Sequence, residues 1–206
     1  MDVVIDGQPG LDTDAEDTIL EVVAKADLAL QSQGRAMVGV TVNGSPVSPE
    51  ALVEQFDGVP ATDAAIEIIS RPVGEMVIET LEEMSESLSE LPIACQRLAA
   101  VFQGEQPHEG FAPFEELATI WNAVKTRQAM AAGALGVDLT AFEIRGQAVS
   151  EHVRELNSFL DEAAQALRDG DTVLLADLLE YELSPRAELE GEIVSLLRRQ
   201  AEASAH

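Results

Sequence analysis

From Val77 to Phe102 apolar residues recur at Val77, Leu81, Met84, Leu88, Leu91, Cys95, Leu98 and Phe102, with spacings that alternate between four and three. A stripe of that period is one face of a helix buried along its length. It crosses Pro92 without losing phase, so the pattern predicts a single helix over 75–103 that bends where Pro92 removes the bond to the Leu88 carbonyl. A second stripe of Phe114, Leu117, Ile120, Trp121 and Val124 predicts a helix over 113–133. Glu115 and Glu116 in its first turn, with Lys125 and Arg127 toward its end, suit the helix dipole. A third stripe, Phe142, Gly146, Val149, Val153, Leu156, Leu160, Ala163 and Leu167, predicts a helix over 141–168. Thr140 and Glu143 have the spacing of a capping box at its start, and Leu139 and Ile144 that of a hydrophobic staple. Asp169-Gly170-Asp171 reads as a tight turn before a fourth helix over 172–201. Four helices on short connections pack most economically as an antiparallel four-helix bundle.

The first 72 residues follow other periods. Val3 to Ile5 form a short strand, Gln8-Pro9-Gly10 a turn, and Leu11 to Thr13 a brief return strand. A helix follows, with Asp14 and Asp17 of capping character and Ile19, Leu20, Val23, Ala26 and Leu30 at helical spacing until Gly34. In Met37 to Val47, Val38, Val40 and Val42 share one face of a strand ahead of an Asn-Gly turn. Asn43-Gly44-Ser45 matches a glycosylation acceptor formally, but reads as that turn. Ser48-Pro49 starts a short helix, and Ala64 to Ser70 is a last strand with Ile66 and Ile68 on one side.

This order of strand, turn, strand, helix, strand, short helix and strand resembles the ubiquitin-like β-grasp arrangement over residues 1–72. No diagnostic motif accompanies the resemblance. The last strand runs on through Arg71-Pro72 into the helices, so chemistry at a free carboxy-terminal tail is not implied. The expected fold is therefore α+β, a small β-grasp-like domain over 1–72 followed by an all-α antiparallel four-helix bundle over 75–206. What the resemblance implies is a compact fold often used for protein contacts.

Charge narrows the functional classes. The chain of 206 residues has 38 Asp and Glu against 12 Lys and Arg, a formal net charge of −26. Such a surface repels phosphate backbones and anionic lipid headgroups, so neither nucleic acid nor membrane is the expected partner. It suits a salt-rich setting as well as an ordinary acidic bacterial protein. Cys95 is the one cysteine, and the amino terminus has no basic region followed by an apolar run, so a cytoplasmic protein is expected.

Val173 to Pro185 reads VLLADLLEYELSP, three carboxylates in an apolar run. On a helical wheel Asp177 and Glu180 fall on one side with Ser184, Gly191, Ser195 and Arg198, a solvated edge. Glu182 instead points along the Leu189, Ile193 and Leu196 stripe, where a buried carboxylate needs partners. Two arrangements satisfy it: a core polar layer of Glu182 with Arg154 or Asn157, or a phase shift at Pro185 that brings Glu182 to water.

Other chemistry is sparse. Glu105-x-x-His108 falls in a Pro-containing loop, His152 lies beside the seam, and His206 is terminal. Asp12, Asp14, Glu16 and Asp17 lack the glycine and distal glutamate of an EF-hand loop and read as capping residues. Cys95 sits on a seam and is expected to be buried and inert. No phosphate loop or dinucleotide fingerprint occurs, so no catalytic, metal or cofactor residue is assigned. Glu79, Glu82, Glu83, Glu86 and Glu90 share one helix side and form the candidate face for a basic partner. The expected function is a non-enzymatic protein-interaction module, an adaptor, assembly factor or chaperone-like protein. Two alternatives stay open: a ligand binder or enzyme with a pocket between the domains drawing on Trp121, Tyr181 and His152, and a self-associating structural protein, a homo-oligomer built on the four-three seams.

Overall fold

The computed structural model describes residues 2–11, 14 and 16–204. The fold is α+β, a small mixed sheet with several helices, divided into one compact unit through Met76 and another from Val77 to Ser204.

In the first unit the strands β1 (Asp2–Ile5), β2 (Gln8–Pro9), β3 (Arg35–Val42), β4 (Ser45–Val47) and β5 (Ala65–Pro72) form a sheet of order β2-β1-β5-β3-β4. β1 runs parallel to β5, and the other pairs are antiparallel. One face is covered by α1 (Ile19–Ser32), whose Ile19, Val22, Val23, Ala26 and Leu30 pack on Val3, Val40, Val42, Ile66 and Ile68. Each Val, Leu or Ile side chain among them contributes about 1.5–3 kcal/mol on removal from water. α2 (Pro49–Phe56), capped by Ser48, adds only the partly buried Leu52 and Phe56.

Three local expectations change here. A return strand forms at Gln8–Pro9, where Asp6 and Gly7 both adopt positive φ (49° and 78°), the geometry of a two-residue hairpin turn, and Leu11, the described residue of the expected Leu11 to Thr13 strand, lies outside any strand. Asp12 and Thr13 lie outside the described residues. The cap of α1 is Thr18, whose hydroxyl accepts from the Glu21 N–H while the Glu21 carboxylate accepts from the Thr18 N–H, a complete capping box of about 1 kcal/mol. Val38 leaves the face of Val40 and Val42, because the register against β5 slips between Met37 and Gly39. That bulge turns Val38 outward to 44% exposure.

In the second unit α3 (Val73–Phe102, begun in the first unit) continues through Pro92, and Val77, Leu81, Met84, Leu88, Leu91, Cys95, Leu98 and Phe102 are all buried. α4 spans Phe111–Ala134 after a 3-10 turn at Pro107–Gly110. It buries Phe114, Leu117, Trp121 and Val124 but leaves Ile120 at 47% exposure. The third helix starts later than its apolar stripe predicts. Leu139–Ala141 is a 3-10 turn capped by Asp138, and β6 (Glu143–Ile144) and β7 (Gln147–Ala148) form a small hairpin before α5 (Val149–Asp169). Arg145 and Gly146 sit at the hairpin tip with φ of 54° and 81°. Thr140 and Glu143 therefore form no capping box, and Gly146 is a turn residue rather than a seam position.

The final run is α6 (Thr172–Asp177), a π-helical segment over Leu178–Leu183, and α7 (Ser184–Ser204). Pro185 lacks an N–H, and the Ser184 N–H bonds to the Leu179 carbonyl five residues back, so one extra residue is absorbed and the helix continues. The phase shift buries Ser184, expected on the wet edge, to 4% exposure. Its hydroxyl donates to the Pro92 carbonyl at 3.3 Å and accepts from Gln96 at 3.4 Å, so the two proline-marked stretches meet.

A substitution at Gly146 separates hairpin from helix. Gly146→Ala is expected to destabilise the protein by about 1 kcal/mol, since a left-handed residue tolerates a β-carbon poorly. In a helix the same change would stabilise by about as much. Chemical denaturation of the variant reads the sign.

Candidate functional site

α3 presents Glu79, Glu82, Glu83, Glu86 and Glu90 on the side opposite its buried stripe, and all five are exposed. No cation among the described residues lies within ion-pair distance of Glu82, Glu83, Glu86 or Glu90. Residues 82 and 86, and 86 and 90, are four apart, and like charges at that spacing cost the helix about 0.2–0.5 kcal/mol per pair.

Inside the second unit the polar layer lies elsewhere than the sequence suggested. Arg154 is exposed and pairs with Glu151, and Asn157 is exposed, so neither reaches Glu182. The π-helical turn rotates Glu182 toward the surface, where its carboxylate binds Arg186 at 2.8 Å. Arg186 also reaches Glu155 at 3.2 Å and lies 4.2 Å over the Phe159 ring.

The buried carboxylate is Glu190. Its side chain is 4% exposed, with Lys125 Nζ 2.5 Å from one oxygen and the Gln128 amide donating to the other at 2.7 Å. Lys125 donates in turn to the Gln128 carbonyl oxygen at 3.3 Å. α4 supplies both partners because positions three apart share a helix face. Sequence reasoning missed this group. Gln128, seven residues after Trp121 on an apolar face, was the available signal. The network uses both carboxylate oxygens and holds α4 to α7; it presents no reactive group to a substrate.

The remaining candidates are dispersed. Trp121 is buried, with its indole N–H unpartnered. Tyr181 is 63% exposed, and the neighbouring Glu180 carboxylate raises its phenol above the usual value. His152 Nε2 lies 3.1 Å from the Ile144 carbonyl and steadies the β6–β7 hairpin. His108 sits exposed in the 3-10 turn, and His206 lies outside the described residues. Burial pushes the Cys95 thiol up to about 12, which leaves it unreactive at neutral pH.

Asp14, Glu16, Asp17 and Glu21 line an acidic hollow, Asp12 being outside the described residues. Lys25 binds both Asp14 and Asp17, and its ammonium is the main cause holding the Asp17 carboxyl below the usual range, with the Asp14 N–H second. Asp6 accepts from the Ser70 hydroxyl and N–H and from Arg35, tying the β1–β2 turn to β5 and β3. Ser70 chiefly, then Arg35, holds the Asp6 carboxyl low. Among the described residues no three His, Cys, Asp or Glu side chains converge as metal ligands. Among the described residues no helix is long and apolar enough to cross a membrane.

These features define an acidic α+β protein with a row of exposed glutamates along one side of α3. Residues 79–189 match the family described as "Domain of unknown function (DUF8042)", and the chain belongs to that family. It is similar to an uncharacterized protein of Treponema pallidum (strain Nichols), 27% identical over 187 residues that cover 90% of this chain and 92% of that protein. No solved structure matches it.

Two measurements probe these charges. Lys125→Met leaves Glu190 buried without its cation and is expected to cost about 3 kcal/mol in denaturant unfolding. Adding Glu190→Gln, a neutral group facing Gln128, recovers more than half. Asp6, lowered in the folded state, contributes stability that is present above the ordinary carboxylate range and is lost as pH falls through its lowered value. Asp6→Asn is therefore expected to be less stable at neutral pH and to have a flatter acid limb, read from Tm against pH.

Proposed function

We propose that the chain is a non-enzymatic binding module, an adaptor, assembly factor or chaperone-like protein of bacterial type, that receives a basic segment of another protein. The observation that carries this reading is the side of α3 formed by Glu82, Glu83, Glu86 and Glu90, exposed and without a compensating cation, in a chain of net charge −26. A helix that bears this repulsion gains when a cationic segment docks, and the surrounding field accelerates the encounter at low salt. A cytoplasmic setting suits the single, buried Cys95.

The finer fold assignment belongs to the same reading. The order β2-β1-β5-β3-β4, with β1 parallel to β5 and α1 on one face, supports a ubiquitin-like β-grasp for the first unit. Four helical runs, α3, α4, α5 and α6 through α7, support a four-helix bundle for the second. Both architectures host many functions, so the proposal stands on the charge distribution and not on the fold.

Capture from native lysate tests it. Tagged full-length protein is expected to retain a stoichiometric basic polypeptide at low salt. High salt, or Glu82→Gln with Glu83→Gln and Glu86→Gln, releases that polypeptide. Recovery of the protein alone, or of the same partners by the triple variant, counts against the reading.

A further inference from the structure

The first unit carries a second surface, unrelated to α3. The ladder between β3 and β4 covers only Val40–Val42, so Ala36–Gly39 have β5 on one side and no strand on the other. The outer strands of the sheet are blunted: β2 is two residues long and contains Pro9, and β4 is three residues long and contains Pro46. Proline and shortness are the usual protection of a sheet edge. Ala36, Met37, Val38 and Gly39 carry neither a charge nor a proline, and Val38 is 44% exposed.

Beside this edge lies a groove of about 420 Å³ between the sheet and the two helices, walled by Leu20 and Val23 of α1, Met37 and Val38 of β3, Val47 of β4 and Leu52 of α2. The β4 chain vacates the track alongside β3 after Val47, where Ser48 and Pro49 turn it into α2. An incoming strand can occupy that track, with alternate side chains entering the groove. Asp27 is the one charged lining residue, and Glu50 follows the lining Pro49 as an exposed carboxylate. Around them the first 76 residues hold fourteen Asp and Glu against Lys25, Arg35 and Arg71. Lys25 and Arg35 are held by carboxylates.

We propose that the open Ala36–Gly39 edge of β3 receives an extended segment of another protein as an added strand, with apolar residues at alternate positions and lysine or arginine at its flanks. Each feature of this occupant answers one feature of the surface. The unpaired backbone requires an extended chain, the groove takes apolar side chains, and the carboxylates favour cationic flanks. A second copy of this chain would bring two such negative rims together, which the net charge opposes. The proposal rests on the reading of the protein as a module for basic polypeptides and names the form such a polypeptide takes in this unit.

The probe is a capped peptide of sequence Lys-Lys-Val-Thr-Val-Thr-Val-Lys-Lys, titrated into the isotope-labelled full chain and followed by amide shifts and amide exchange. The expected result is saturable shifts at Ala36–Gly39 and Leu52, with slowed exchange along that edge. The same peptide N-methylated along one edge is expected to bind about tenfold more weakly, because at least two backbone bonds are lost. Asp27→Lys weakens binding about threefold at low salt, as loss of a rim charge does, and Val38→Lys weakens it further, both with unchanged Tm. Equal binding of the N-methylated peptide overturns the proposal, as does the absence of shifts at about 1 mM peptide, a weaker affinity than strand addition supports. Edge protection in the peptide-free protein together with a dimer by sedimentation assigns the edge to a second copy and also overturns it. The capture assay reads α3 and this titration reads β3, so either can fail while the other succeeds.

Discussion

A carboxylate removed from water costs several kcal/mol unless a cation and hydrogen bonds replace its hydration, and Glu190 meets that constraint through Lys125 and Gln128 of α4. The geometry this demands is narrow. Both oxygens are engaged, so α7 can neither slide nor rotate against α4 without uncovering a charge. An apolar contact at the same place would hold the helices together but tolerate slippage. The buried ion pair thus fixes register more than it adds stability. With α7 fixed, its other faces follow: Ser184 meets Pro92 and Gln96 of α3, Arg186 meets Glu155 and Phe159 of α5, and Glu192 meets Arg145 of the hairpin.

The π-helical turn over Leu178–Leu183 makes those contacts compatible. Without its extra residue, the phase that buries Leu175 and Leu179 would place Glu182 over the core and Ser184 in water. With it, Ser184 becomes a short, buried hydrogen-bonding group facing the carbonyl of Pro92, and Glu182 emerges beside Arg186. Pro185 is a sequence cause of the shift, since its missing N–H leaves the Tyr181 carbonyl without a helical donor. Pro92 and Pro185 therefore meet through Ser184, one inside α3 and the other at the re-phased start of α7.

The long apolar periods were legible because a buried helix face must repeat near 3.6 residues, and every seam position of α3 from Val77 to Phe102 is buried. The errors fall where one residue changes the phase. Val38 left its face through a bulge, Ser184 through a π turn, and Gly146 matched a helical stripe by coincidence while holding a positive-φ hairpin position. Asp6-Gly7 was a readable turn signal, since Asp-Gly favours the two positive φ values of a tight hairpin. Arg145-Gly146 is a weaker form of the same signal, and its neighbours Phe142 and Val149 fit a helix equally well. The candidate site was legible only in part. A row of glutamates at helical spacing announces an exposed face, whereas Glu190, set among Ala187, Ile193 and Val194, looks like any surface glutamate until Lys125 and Gln128 are brought to it from 62 or more residues away.

The same contrast explains how the charge is used. Where carboxylates are needed to hold the fold, each has a named partner: Glu190 has Lys125, Asp17 has Lys25, Asp6 has Arg35, Glu182 and Glu155 share Arg186, and Glu192 has Arg145. Only 12 cations serve 38 carboxylates, so structural pairing consumes much of the positive charge and leaves whole surfaces uncompensated. The stretch of α3 bearing Glu82, Glu83, Glu86 and Glu90 is one such surface, and the groove beside β3 lies within a second acidic region. Neither requires its negative charge for folding, since helix α3 is held by its buried stripe and β3 by its ladder to β5. Surface charge of one sign that the fold does not use and that weakens its own helix is costly to retain for stability alone. That cost turns into a gain when a cationic chain covers it.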